Sequence, residues 1–368
     1  MKINSVNTVS LGEVLKYEQP TKYIVDNTNY DDEFDIPVLT AGKSFLLGYT
    51  NETHNVFSNV PVIIFDDFTT AFKYVDFPFK VKSSAMKILK ANKEIADIRF
   101  LYYRMLKTGI DTELHKRYWI SKYSKVKIPL PPLDQQKKIA AILDAADEYK
   151  QKTKALIEKY DELTQSLFLD MFGDPVGNPK GLPTEQLGNL CDFYSGRAWK
   201  KGELGDKGYK LVRISNLHKP SFPYWLYDGE MIEKHKVEQG DLLFSWAGVQ
   251  ASIDAYIYEG EVAMINQHIY NIKPKRSDIN KLYLFNLLQL HLENLRKSLG
   301  GGVGQFHLKK SDITSIKALI PDSNSMEKYM QSLNSIKNQK AKAQESLAKA
   351  EDLFNSLLQK AFKGELTN

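Results

Sequence analysis

The sequence predicts an α+β fold in which two mixed α/β globules alternate with two long helices, arranged as an internal repeat. Three observations carry this. Two stretches free of Gly and Pro, Asp134 to Phe172 and Ser325 to Lys363, show apolar residues at alternating steps of three and four. Stretches with strand-like runs and turn residues flank them. Short motifs recur, 176 residues apart at the globule starts and 190 apart at their ends and in the rods.

The first globule is expected over residues 1–131. Pro37 to Thr40, Val60 to Phe65 and Met86 to Lys90 read as strands, and Glu94 to Lys107 as a helix. The first rod, within residues 132–172, follows Pro131 and Pro132, with Asp134 as the expected N-cap and Gly173 as the stop. Its expected seam is Ile139, Ile142, Ala146, Tyr149, Thr153, Leu156, Tyr160, Leu163 and Leu167. The second globule, 173–323, has strands expected at Leu211 to Ile214, Asp241 to Trp246, Ala251 to Tyr258 and His268 to Lys273, and a helix at Asp278 to Leu299. The second rod, within 324–368, has Asn324 and Glu327 at capping-box spacing. Its seam is Met326, Tyr329, Leu333, Ile336, Lys340, Ala343, Leu347, Ala350, Phe354, Leu357 and Ala361. About 39 residues at about 1.5 Å each make a rod of about 58 Å. A narrow apolar stripe must be covered. Matched length and phase favour the two rods covering each other; packing on the globules or pairing between chains are the alternatives.

The repeat is visible in detail. Leu11-Gly12-Glu13-Val14 parallels Leu187-Gly188-Asn189-Leu190, and Phe100-Leu101-Tyr102-Tyr103 parallels Leu282-Tyr283-Leu284-Phe285. Ser121, Val126, Lys127 and Pro131 match Ser311, Ile316, Lys317 and Pro321.

Composition narrows the function. Apolar residues at 42% suffice for buried cores, so a wholly disordered chain is excluded. A single cysteine, Cys191, excludes a disulfide scaffold and multi-cysteine metal sites. The seven His residues are scattered, and no metal site is expected. No long apolar run or signal-like N-terminus is present, so no membrane contact and a cytoplasmic location are expected. A net charge of +5 permits a nucleic-acid partner without requiring one. Gly42-Lys43-Ser44 lacks the earlier glycine of a phosphate-binding loop, since Pro37 stands there. The glycine-rich run 300–304 follows a helix instead of opening one. There is no Gly-x-Ser-x-Gly elbow, and Asp66-Asp67 has no Glu-x-Lys at usable spacing for a nuclease. The adenine-gripping Asn-Pro-Pro-Phe or Asp-Pro-Pro-Tyr tetrapeptide of amino-methyltransferases is missing too. No catalytic residue is assigned; together the absences favour a binding protein.

Residues suited to DNA cluster locally. Candidates in the first globule are Thr40, Lys43, Ser44, Tyr49, Lys80, Lys82 and Ser84. In the second they are Arg197, Trp199, Lys200, Lys201, Arg213, Asn216, Asn266, Gln267, His268 and Gln305. Arg, Asn and Gln can pair with base edges, while Lys and Ser suit phosphates. Taken singly, each such residue is most often solvated surface.

Specific stretches carry a family resemblance. VKIPLPPLDQQKKIAAIL (Val126 to Leu143) and LTQSLFLDMFGDP (Leu163 to Pro175) resemble the shared central region of type I restriction-modification specificity subunits (HsdS). DIPVLTAGKSFLLGYT and VPVIIFDDFTTAFKYVDFPFKVKSSA resemble one class of target-recognition domain; GDLLFSWAG, NQHIYNIKP and GVGQFHLKKSDI resemble another. The resemblance covers essentially the whole chain. It implies that the globules are target-recognition domains, each reading one half of a split, asymmetric site in double-stranded DNA. It implies that the rods form an antiparallel coiled coil that spaces them. Two methyltransferase subunits would dock on the chain and bring S-adenosylmethionine and adenine-N6 chemistry. Two restriction subunits, in systems that have them, would add ATP- and Mg-dependent translocation and cleavage. This chain would bind no cofactor and catalyse nothing. Exposed seam surface would let the isolated chain self-associate. With antiparallel rods aligned end to end and shifted by one residue to bring seam onto seam, Thr153 would face Ala343 and Lys340 would face Leu156; Lys340 would then fix the register or snorkel to solvent. The rival reading is a repeat scaffold that binds proteins and ignores DNA.

Overall fold

The computed structural model describes residues 7–366 apart from 41, 43, 109–117, 298–303 and 305. The chain divides into two compact units, one of residues 1–154 with 345–368 and one of residues 155–344. Each unit therefore holds one globule together with part of each long helix.

In the first unit a four-stranded antiparallel sheet runs in the order Leu15–Glu18, Met86–Ala91, Val62–Asp66, Phe72–Val75. Val62 to Phe65 are all fully buried because the strand is covered on both faces. Ile63, Phe65 and Leu89 face helix α1 (Ile98–Lys107), while Val62, Ile64 and Ile88 face a smaller sheet. That sheet has the order Leu46–Thr50, Ile36–Leu39, Lys80–Val81, and its last two strands are parallel. Helix α1 starts at Ile98, later than the sequence pattern suggests, because the Asp97 carboxylate accepts the Phe100 amide at 2.8 Å and caps it. Asp97→Ala is expected to remove about 1 kcal/mol from the first unit, read as a lower urea midpoint, with Asp97→Asn keeping most of it.

The second unit repeats this plan. Its four-stranded sheet has the order Cys191–Ser195, Ile269–Pro274, Leu242–Ser245, Asp254–Ile257. Its second sheet is wider, in the order Leu204–Gly205, Trp225–Tyr227, Tyr209–Val212, Ala263–Ile265, Lys236–Val237. Again two strands are parallel: Leu211 lies opposite Met264, as Val38 lies opposite Lys80 in the first unit. A two-stranded clasp closes each globule, Asn7–Ser10 with Lys127–Leu130 and Thr184–Gln186 with Lys317–Leu319.

Helices α2 (Leu133–Phe172) and α4 (Ser323–Lys363) are the rods; between them lies α3 (Lys281–Lys297). Helix α2 begins at Leu133, so Asp134 lies inside its first turn instead of capping it. Asp322 caps α4, not Asn324: its carboxylate takes the Ser325 amide at 3.0 Å and hydroxyl at 2.7 Å. Gly173 ends α2 at φ +80°, a left-handed conformation that disfavours other residues. The rod segments run antiparallel within each unit. In the first, the Lys150 ammonium sits 4.1 Å from the Phe354 ring centroid and Lys154 pairs with Glu351 at 3.3 Å. In the second, Lys340 pairs with Asp161, while Phe168 and Phe172 meet Tyr329 at 5.9 and 5.0 Å.

The second rod's seam lies inward. Tyr329, Leu333, Ala343, Ala350, Phe354 and Ala361 are buried, and Met326, Ile336, Leu347 and Leu357 half-buried. In the first rod Ile139, Ala146 and Thr153 are buried and Ile142, Tyr160 and Leu167 half-buried. Tyr149, Leu156 and Leu163, however, are exposed. Leu143 is buried and Lys150, Ile157 and Thr164 are half-buried in their place. The inward set thus steps four then three from Ile139, not three then four. Lys150 fits there because its ammonium lies over the Phe354 ring and also reaches Asp147 at 2.6 Å. Lys340 pairs with Asp161, five positions beyond the Leu156 that the expected register would place opposite it.

Candidate nucleic-acid interface

The parallel strand pairs bring candidate residues together at one end of each smaller sheet. In the first globule Leu39 and Val81 lie side by side, and the Lys82 amide donates to the Leu39 carbonyl at 3.1 Å. Thr40 and Lys82 therefore leave the sheet together. The Thr40 amide donates to the Phe45 carbonyl at 2.9 Å. Ser44, Lys82 and Ser84 are exposed, and Thr40 and Tyr49 are half-buried. Lys43 lies outside the described residues.

Lys80 does not belong to this surface. It is fully buried, its ammonium 2.8 Å from Glu52 and 3.0 Å from the His54 carbonyl. Burial alone would raise the Glu52 carboxyl, but Lys80 and the Asp26 and Asn27 amides outweigh it and hold the pKa below its ordinary value. Asp26, Glu52 and His54 place potential ligand atoms within 4.8 Å of one another. Glu52 is already committed to Lys80, and His54 Nε2 lies 2.9 Å from Asp26.

In the second globule Val212 and Ile265 hold the corresponding places, and the Asn266 amide donates to the Val212 carbonyl at 3.1 Å. Arg213 and Asn266 thus emerge as neighbours. Arg197 joins them through a bridge to Asn266. Gly196 permits that approach, since a Cβ there would lie 2.2 Å from the Asn266 carbonyl oxygen. Lys200 and Lys201 are exposed; Asn266, Gln267 and His268 are half-buried. Gln305 lies outside the described residues.

Two further candidates turn out to be internal. Asn216 is buried, accepting the Arg213 amide at 3.1 Å and donating to the Phe222 carbonyl at 2.8 Å, so it braces the loop. Trp199 is buried against Leu211 and Met264, with its indole donating to the Ile265 carbonyl at 3.3 Å. Both have their polar atoms satisfied inside the fold, the usual condition of buried polar groups.

Sequence reasoning missed a ring cluster next to this edge. Trp246 lies 5.4 Å from His268 and 5.9 Å from His307, centroid to centroid. Burial, reinforced by His307, pushes His268 below its ordinary pKa. The only sequence signal was the polar run ending at His268 and the glycine-rich stretch ahead of His307.

Among the described residues, no helix is long and apolar enough to cross a membrane. The family model described as the type I restriction modification DNA specificity domain matches residues 4–159 and again 179–350. The EcoR124I/EcoR124II specificity subunit of Escherichia coli is 32% identical over 89% of this chain and 86% of its own length. The MjaVIII specificity subunit of Methanocaldococcus jannaschii is 23% identical over 76% of this chain and 73% of its own. Among solved structures, the type I S subunit from M. genitalium superposes with a TM-score of 0.60 at 14% identity, covering 98% of both chains. The duplicated match to one family and the depth of the Escherichia coli likeness place the chain among the type I restriction-modification specificity subunits, the non-catalytic components that recognise the DNA target.

Proposed function

We propose that this subunit reads a bipartite DNA target, one half with each globule, and positions adenine-N6 methyltransferase subunits on it. The observation that carries the reading is the repeated strand-end surface. Both globules present loop residues from the ends of a parallel strand pair, yet Thr40 and Lys82 occupy the places that Arg213 and Asn266 occupy in the second. The same scaffold with different side chains suits two different half-sites. A solved relative belongs to a study of complex assembly in a type I system, which supports methyltransferase subunits as partners here. S-adenosylmethionine belongs on those subunits, and ATP and Mg on restriction subunits where the system has them. Adenines inside a duplex must be extruded for methylation, a step the methyltransferase performs while this chain holds the flanking DNA. Phosphate contacts would dominate raw affinity and make it salt-sensitive.

The test is co-expression with the cognate methyltransferase subunit in a methylation-free host, followed by single-molecule methylation mapping. The expected result is a split motif with N6-methyladenine in both halves. A stable complex that methylates no new motif would overturn the reading and favour the protein-binding scaffold.

A further inference from the structure

The described arginines divide sharply by counter-charge. Arg99, Arg197, Arg276 and Arg296 each pair with a carboxylate: Asp144, Glu203, Asp278 and Asp254. Arg104 lies against the Phe362 ring, 5.1 Å from its centroid. Arg104 has no carboxylate partner among the described residues and burial lowers its pKa, as for Arg213; what sets Arg213 apart is its place. It stands at the strand-end surface with no carboxylate partner among the described residues, yet it is firmly held. Its guanidinium lies 4.1 Å from the Trp225 ring centroid and 5.5 Å from that of Phe222. One terminal nitrogen donates to the Pro223 carbonyl at 2.6 Å. Its backbone amide is fixed by buried Asn216, which also ties down Phe222. Its Nε is buried without a partner, as are those of Arg104 and Arg197. Burial lowers its pKa, the mark of a cation whose charge is incompletely compensated.

Holding a flat guanidinium still in advance removes the entropy cost of ordering it on binding. A surface arginine serving only solubility needs no such mounting. A phosphate contact needs charge but not a fixed plane. Bidentate pairing to the O6 and N7 of guanine needs both. Arg197, equally well stacked on Trp199 at 4.0 Å, is neutralised by Glu203 at 2.6 Å and lacks that free charge.

We propose that Arg213 is the guanine-reading side chain of the second globule, pre-oriented by Trp225, Phe222 and the Pro223 carbonyl. The proposal rests on the bipartite reading above. Its test uses the full chain in complex with its methyltransferase subunits, as wild type, R213K and R213A. Wild-type mapping comes first. If it yields no split motif, the bipartite reading fails before Arg213 is addressed. If it yields one whose second half holds no guanine on either strand, the Arg213 proposal is overturned and the bipartite reading stands. With a guanine present, binding is measured to duplexes permuted at each position of that half. Both variants are expected to lose about tenfold or more of the preference at one guanine position, with the other half-site unchanged. R213K keeps the charge but not the fork, so it separates base reading from phosphate contact. Uniform weakening over all permuted duplexes, or an unchanged preference at every position, overturns the proposal. Assembly of each variant complex, checked by size-exclusion chromatography, keeps a folding failure from counting as either result; if R213A does not assemble, R213K decides.

Discussion

Replacing residues 1–131 with the corresponding domain of a relative is expected to change one half of the methylated motif completely and leave the other half untouched. The clasp strands Asn7–Ser10 and Lys127–Leu130 pair with each other, so both ends of the exchanged piece carry their own partner. What must be preserved is the face toward the rods. Phe100, Leu101, Tyr103 and Met105 of α1 share a core with Ile139, Leu143, Ala146 and Phe354. Arg99 and the Tyr103 hydroxyl both bond Asp144 of α2, Tyr103 at 2.6 Å. A donor that keeps these positions apolar, and keeps the pair that meets Asp144, keeps the junction. A donor that does not will fail in assembly before it fails in recognition. Methylation mapping of the chimera reads the outcome. A motif altered in both halves would show that the globules do not read DNA independently.

Lys80→Met is expected to destabilise the first unit by about 3–5 kcal/mol at pH 7, because it leaves the buried Glu52 carboxylate without its counter-charge. The Asp26 and Asn27 amides still bond Glu52, so that carboxylate cannot simply swing to water. Lys80→Met with Glu52→Gln should recover part of the loss, since a glutamine oxygen can still accept those amides. Urea unfolding of the single and double variants measures both steps. The pH dependence has a definite sign. Glu52 has its pKa depressed in the native state, so its contribution is complete above the ordinary carboxylate pKa. That contribution is lost as pH falls through the depressed native value. The wild-type advantage over the double variant should therefore shrink in acid.

The architecture was legible because rods and repeats write themselves into sequence. The second rod's seam could be read residue by residue, as its inward positions are apolar almost throughout. The first rod was half legible. Tyr149, Leu156 and Leu163 look like seam residues and Lys150 and Thr164 do not, yet the inward row is the more polar one. Local pattern could not reveal that the Lys150 ammonium lies over the Phe354 ring. The strands that were read lie within three residues of their observed ends, but Leu46–Thr50, Phe72–Val75, Lys80–Val81, Trp225–Tyr227 and Ala263–Ile265 were not read at all. The helix after Asp97 begins four residues late because Asp97 caps it.

The candidate DNA surface was legible only as neighbourhoods. Arg213 and Asn266 are 53 residues apart in sequence and become neighbours through a parallel strand pair that periodicity does not encode. Lys80, Trp199 and Asn216 carry the right chemistry in the wrong place. Whether a lysine faces water or a buried glutamate 28 residues upstream is decided by tertiary packing alone. Trp246, His268 and His307 come from three separate segments, so their association had no local signature.

Lys80 and Met264 occupy the same place in two copies of one fold, an ion pair in one and a thioether among Trp199 and Leu211 in the other. A homodimer of a single-copy ancestor would be obliged to use one solution twice, since every mutation appears in both halves at once. Two copies linked in one chain carry no such obligation. Each half can now accumulate changes that suit its own interior, and the outer surfaces are released in the same way. Two linked copies are thus free to drift apart while one chain still delivers them in equal number.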